Sequence, residues 1–167
     1  MEYVDVYNEK KEKTNKIIKR DDIDSLNGND FIIIVHCWII NSEKEILLTQ
    51  RSMNVNRGGM WEDTHGGLRA GETSLDGIKR ELKEELGIAT NDNELILVKT
   101  LKKDNVFRDI YIMKKDISLE TIDFYDGEVM NAKYVSIEEF KTIIEKGESS
   151  VRNFKDTIFY NSNVLDF

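Results

Sequence analysis

The segment from Gly66 to Ile88 limits what this chain can fold into more than any other stretch. Within it, Ser74 to Leu86 carries Leu75, Ile78, Leu82 and Leu86 at helical spacing. At about 100° per residue these four fall within an arc of roughly 80°, one apolar stripe that must face a core. Ser74 is expected to cap this helix, and Gly87 to end it as the residue just beyond. Glu81, Glu84 and Glu85 stand at i, i+3 and i+4 and share one face, centred roughly 110° from the stripe. Like charges at that spacing repel by a few tenths of a kcal/mol per pair. A divalent cation reverses the sign. Mg²⁺ in particular favours carboxylate, carbonyl and water oxygens together with substrate phosphates.

Alone, such a face would read as an ordinary acidic surface, because glutamate is a good helix former. The preceding loop argues for more. Gly66-Gly67 and Gly71 let the backbone approach a ligand or ion closely and adopt conformations closed to other residues. Glu72 lies just before the helix, where a carboxylate suits the positive end of the dipole. Arg80, four residues ahead of Glu84, can orient carboxylates with its fork of donors.

The remaining chain reads as one continuous domain, 1–167, with no repeat, low-complexity tract or Pro/Gly/Ser linker. Tyr3 to Tyr7 and Thr14 to Lys19 form a hairpin within an N-terminal extension, 1–30. A loop from Asp21 to Asp30 follows. Phe31 to Ile40 is β-branched and apolar enough for a central strand, and Glu45 to Gln50 returns beside it. Leu95 to Leu101 pairs with Val106 to Met113, and Val129 to Val135 adds a strand. Ser136 to Glu139 has capping-box spacing and opens a helix to about Lys146. A last helix is expected over Ser150 to Tyr160. Strands alternating with a few helices indicate an α/β architecture.

The positions Gly66, Glu72, Arg80, Glu81, Leu82, Glu84, Glu85, Gly87 and Ile88 match in type and spacing the Nudix box: Gly, five residues, Glu, seven residues, Arg-Glu-apolar, one residue, Glu-Glu, one residue, Gly-apolar. The chain therefore resembles the Nudix hydrolases. The hairpin, the paired strands, Gly59-Met60-Trp61 and the strand after Glu128 resemble a bacterial subgroup related to isopentenyl diphosphate isomerase. The resemblance implies a Nudix-type α/β/α sandwich with a central mixed β-sheet and an N-terminal β-hairpin. It implies hydrolysis of a nucleoside diphosphate linked to another moiety, or of a similar small-molecule diphosphate, by metal-activated water with Mg²⁺ or Mn²⁺. Glu84 and Glu85 are then the main metal ligands, Glu81 a further ligand or water activator, and the Gly66 carbonyl completes the set. Arg80 orients the glutamates, and Glu72 braces Arg80 or binds metal through water. The general base is a box glutamate, Glu81 or Glu85, or Glu128 in the Asp126-Gly127-Glu128 loop.

Two alternatives belong to other classes. An isopentenyl-diphosphate isomerase-like enzyme would carry a catalytic cysteine just before the first glycine of the box. Here that position is His65, and Glu84-Glu85 is intact. A non-catalytic ligand-binding Nudix module would be expected to have an eroded box, and this one is complete. His65 is a candidate substrate contact and, with His36, a candidate metal pair. Arg51 offers a phosphate contact or a surface salt bridge, and Trp61 a base-stacking face or core packing. Cys37, the sole cysteine, reads as a small buried hydrophobe and fits a reducing cytoplasm. The start of the chain lacks the pattern of a secretory signal, and no run nears the ~20 apolar residues of a membrane span. A formal net charge of −8 argues against a nucleic-acid partner. Homodimerisation accords with the resemblance, since many similar proteins dimerise.

Overall fold

The structure, a computed structural model, describes residues 2–125, 127–160 and 163–165. It divides into two compact units: Met1–Cys37 with His65–Lys83 and Ala89–Ile112, and Trp38–Thr64 with Glu84–Ile88 and Met113–Phe167.

In the first unit, β1 (Tyr3–Tyr7) pairs antiparallel with β2 (Lys13–Lys19), Val4 opposite Ile18. Asn8 sets the connecting turn: its carboxamide accepts from the amides of Lys10 and Glu12, and Lys11 takes the left-handed φ of 65°. Alternation decides the faces, with Val4 and Val6 buried and the residues of β2 mostly exposed. Tyr7 and Phe31 exchange backbone hydrogen bonds of 2.8 Å, which ties the hairpin to the chain beyond it. The expected loop after β2 instead begins with a 3-10 turn, Arg20–Ser25.

The main sheet holds β3 (Ile32–Ile40), β4 (Ile46–Arg51), β5 (Trp61–Glu62), β6 (Thr64–Gly67), β7 (Leu95–Lys103), β8 (Val106–Lys114) and β9 (Val129–Val135). Its order is β5-β4-β3-β8-β7, with β6 on β3 and β9 on β4. The apolar run at Phe31 to Ile40 thus became the central strand, as its composition requires. Helix α1 spans Ser74–Leu86 and α2 spans Ile137–Glu145.

Both helices begin with reciprocal caps. At α2, Ser136 accepts from the Glu139 amide, and the Glu139 carboxylate accepts from the Ser136 amide. At α1 the cap is Thr73 and not Ser74: the Thr73 hydroxyl accepts from the Asp76 amide at 3.1 Å, and the Asp76 carboxylate accepts from the Thr73 amide at 3.1 Å. Gly87 ends α1 with φ +70°, the left-handed residue expected there.

The predicted last helix over Ser150 to Tyr160 is only a 3-10 turn, Phe154–Asp156. Asn153 and Thr157 divert the backbone: the Asn153 side chain accepts from the Lys155 amide, and the Thr157 hydroxyl donates to the Phe154 carbonyl. The aromatics there pack individually. In the second unit Trp38 meets Phe159 edge-on at 4.9 Å and Phe140 at 5.4 Å.

Candidate functional site

Strand β6 ends at Gly67 and passes the chain to a tight loop, 68–73, which the N-terminal hairpin braces. The Leu68 amide donates to the Ile33 carbonyl at 3.1 Å, and the Ala70 amide to the Tyr3 carbonyl at 2.7 Å. The Gly71 amide donates to the Asp5 carboxylate at 2.8 Å, and Gly71 holds φ +90°, where a side chain would be strained. Arg69 reaches back to the Glu2 carboxylate at 2.7 Å. The hairpin is therefore a wall of the loop.

Arg80 organises the segment. Its Nε and Nη2 donate to the two Glu72 oxygens at 2.7 and 3.0 Å, a bidentate fork. Its Nη1 donates to Glu81 Oε1 at 2.6 Å, and Nη2 also reaches the Gly67 carbonyl at 2.9 Å. Burial disfavours the ionised Glu72, but the Arg80 hydrogen bonds and the Arg69 amide outweigh it and hold the carboxyl below its ordinary range. Burial also works against the Arg80 cation, yet Glu72 and Glu81 reverse that and strengthen its hold on the proton.

Gly66 faces Glu81 so closely that a Cβ at Gly66 would overlap the carboxylate. Glycine here is a matter of space. Along α1 the buried residues are Gly77, Ile78, Glu81, Leu82, Glu85 and Leu86, while Leu75 and Glu84 are half-buried. Glu81 is 8% exposed and Glu85 4%. The carboxylates thus lie within the buried arc of the helix instead of on a solvated face beside it. Burying carboxylates is costly without counter-charge. An all-oxygen set, with a glycine backbone laid against one carboxylate, has the chemistry that a hard divalent cation selects.

The other candidates fall in several places. Arg51 is half-buried and committed within the protein: Nη1 donates to Glu62 Oε1 at 2.6 Å, and Nε to the Asn56 carbonyl at 2.7 Å. The surface salt bridge expected of it is in fact made to a buried acid, Glu62 being 3% exposed. Trp61 is half-buried, with the Lys133 ammonium 4.0 Å above its ring. The Glu128 carbonyl accepts from the Ser52 amide at 2.8 Å, which anchors that loop beside β4. Asp126, in the same loop, lies outside the described residues. His36 and His65 stack in parallel, centroids 5.1 Å apart and planes 8° apart. Cys37 is 1% exposed.

One cluster in the first unit was missed from sequence. Asp109 on β8 is fully buried and accepts from the Lys11 ammonium, the Ser74 hydroxyl at 2.6 Å and the Thr100 hydroxyl at 2.6 Å. The Tyr111 hydroxyl donates to Ser74 at 2.9 Å. Ser74, released from capping by Thr73, therefore fastens the start of α1 to β8. The signal was present: Asp109 alternates with Phe107 and Tyr111 on one strand face, so an acid there had to point into the core.

Residues 30–156 match the model of the NUDIX domain family. The chain belongs to the Nudix family. An uncharacterized Nudix hydrolase of Listeria monocytogenes is 27% identical over 165 residues, which cover 98% of this chain and 96% of that one. Nudix hydrolase 3 of Arabidopsis thaliana is 30% identical across 87% of this chain, and the match spans only 20% of that relative's length. The crystal structure of DR0079 from Deinococcus radiodurans superposes with a TM-score of 0.74 at 20% identity, covering 89% of this chain and 91% of that one. The fold is accordingly the Nudix α/β/α type around a mixed sheet. As a family member the chain is an enzyme of the Nudix hydrolase class, whose members use divalent metal ions. Among the described residues no helix is long and apolar enough to cross a membrane.

Proposed function

We propose that this Nudix enzyme hydrolyses a diphosphate linkage in a small molecule, either a nucleoside diphosphate joined to another group or a similar diphosphate, with Mg²⁺ or Mn²⁺. The observation that carries the proposal is Arg80: one guanidinium spans Glu72, Glu81 and the Gly67 carbonyl and so fixes the loop to the carboxylate-bearing helix. Glu84 and Glu85, with Glu81 and the Gly66 carbonyl, would hold the metal. Bound there, it neutralises diphosphate charge and lowers the pKa of a water.

The chain's own groups have distinct tasks. Arg80 orients Glu81, and Glu72 holds Arg80 in its fork. Gly66 leaves the space in which the Glu81 carboxylate sits. The proton leaving the attacking water goes to a carboxylate, Glu81 or Glu85 on α1, or Glu128. His65, next to Gly66, is a candidate substrate contact. Arg51 and Trp61 are weaker candidates for a phosphate contact and a base-stacking face, since each already has a partner in the fold. The cytoplasm, where Cys37 stays reduced, is the proposed setting.

The test is a panel of nucleoside triphosphates, nucleotide sugars, ADP-ribose, dinucleotides and isopentenyl diphosphate, each with Mg²⁺ and with Mn²⁺. Release of phosphate, pyrophosphate or a mononucleotide is the expected result. Double-bond migration in isopentenyl diphosphate without release would replace the hydrolase with an isomerase. Saturable binding without turnover of any compound would make the protein a binding module.

A further inference from the structure

The turn ahead of α1 does not fix its own form. The Glu72 amide donates to the Arg69 carbonyl at 3.1 Å and closes a four-residue turn, Arg69 to Glu72, whose third residue, Gly71, holds φ +90°. A left-handed third residue marks a type II turn. Type I differs from it by turning over the peptide plane between Ala70 and Gly71, and glycine takes either sign of φ readily. A partner outside the turn therefore selects the form, and strand β1 supplies it. The Tyr3 carbonyl accepts from the Ala70 amide at 2.7 Å. Two residues on, the Asp5 carboxylate accepts from the Gly71 amide at 2.8 Å, across 66 positions of sequence. Turning the plane over would carry the Gly71 amide away from Asp5.

We propose that Asp5 is a positioning residue for the Arg80 fork: by holding the Gly71 amide it sets Glu72, and through Glu72 and Arg80 it sets the Glu81 carboxylate. Glu72 is the last residue of the turn, and its own carboxylate is fully engaged there. Oε1 accepts from Arg80 Nε at 2.7 Å, and Oε2 accepts from both the Arg69 amide at 2.8 Å and Arg80 Nη2 at 3.0 Å. Arg80 Nη1 then holds Glu81 Oε1 at 2.6 Å. Each link is a hydrogen bond or a step of one residue, so a change in the turn is passed on. Lys13, from the facing strand, reaches the same Asp5 oxygen at 2.6 Å. Burial works against the Asp5 carboxylate, but Gly71 and Lys13 outweigh it and keep the group an ionised acceptor. Glu2 adds a second brace, joining Arg69 at 2.7 Å to Arg20 at 2.6 Å, but only Asp5 grips the peptide plane that distinguishes the two turns. Asp5 and Lys13 are not box positions, and both precede residues 30–156, which match the family. The value of this brace to catalysis rests on the hydrolase reading above; the hold on Arg80 does not.

The full chain is compared with Asp5→Ala, Asp5→Asn and Thr14→Ala. Asparagine keeps an oxygen acceptor for Gly71 without the charge. Thr14→Ala removes the hydroxyl bond to the Val6 carbonyl and so loosens the hairpin away from the turn. Two quantities are read: the exchange rate of the Arg80 Nε proton by NMR without metal, which reports the bond to Glu72, and Mn²⁺ affinity by calorimetric titration. Asp5→Ala is expected to speed the exchange and weaken Mn²⁺ binding by about tenfold each, the low end for groups that orient ligands. Asp5→Asn and Thr14→Ala should both stay within about threefold of the wild type. Wild-type exchange or wild-type Mn²⁺ affinity in Asp5→Ala would overturn the proposal. So would Asp5→Asn as impaired as Asp5→Ala, or a Thr14→Ala effect equal to that of Asp5→Ala, which would reduce Asp5 to general support of the hairpin. A wild-type chain that takes up no Mn²⁺, while its Arg80 exchange still answers to Asp5→Ala as expected, would uphold the positioning role and remove the metal-dependent hydrolase instead.

Discussion

Asp109 and the Glu72–Glu81 pair are all carboxylates withdrawn from water in the same unit, yet their surroundings are opposite in kind. One carboxylate at Asp109 receives an ammonium and two hydroxyls. At Arg80 one guanidinium serves two carboxylates, on a segment that also carries Glu84 and Glu85. Where donors outnumber acceptors, the cluster has satisfied its charge and does structural work: it joins hairpin, helix and strand. Along α1, Glu81, Glu84 and Glu85 stand within five residues of one another, and that local density of carboxylate oxygens is what a divalent ion with a diphosphate would use. Buried acids are thus not one category: a lone carboxylate that ties three elements together is a fastening, and several carboxylates brought together on one helix are the proposed site.

The contrast can be broken most decisively at Glu85. Glu85→Gln is expected to lower metal-dependent hydrolysis on the order of 10³-fold, because several kcal/mol of transition-state stabilisation is at stake at tenfold per 1.36 kcal/mol. Its urea midpoint should stay near that of the wild type. Near-normal initial rates would mean that the α1 face is no more functional than Asp109.

Asp109→Ala should show the reverse pattern. Unfolding free energy should fall by about 3 kcal/mol, as when one partner of a buried pair is removed, while activity per folded molecule persists. A loss too small to resolve in urea titrations would show that the cluster fastens nothing. Gly66→Ala lies between the two. It pushes the Glu81 carboxylate aside and should weaken metal affinity by about tenfold, the lower end of the range for groups that orient ligands. Calorimetric metal titration reads this directly, and unchanged affinity would remove Gly66 from the site. Thr73→Ala should cost about 1 kcal/mol as the loss of a cap; if Ser74→Ala costs that through capping and Thr73→Ala nothing, the cap assignment falls.

The smallest effect is in acid. Glu72 has a folded pKa below its ordinary value of 4.5. Its contribution is therefore fully present above that value and is lost as pH falls through the lower folded one. Wild-type stability should approach that of Glu72→Gln on acidification below pH 4.5, as read by thermal melts across pH. Parallel curves would show that the Arg80 fork adds nothing to folding.

Much of this was legible before any coordinates. The limits of α1, the Gly87 terminus, the Ser136 cap and the central strand all follow from neighbours within a few residues, where backbone geometry and periodicity act directly. The last predicted helix went astray for an equally local reason, since Asn153 and Thr157 compete for backbone groups and apolar spacing does not register that competition. Arg51 and Ser74 were read by their own chemistry, and their partners turned out to come from other strands: Glu62 for one, Asp109 for the other.

By itself the sequence determined the family, the box and the spacing that places three glutamates on one helical face, because a helix converts sequence interval into angle with little freedom. Tertiary structure alone decided that Glu81 and Glu85 lie inside the buried arc, that a hairpin from the chain's start walls the loop, and that Lys11 meets Asp109 across 98 positions. Those outcomes depend on which distant surfaces close over one another, and no local interval encodes that.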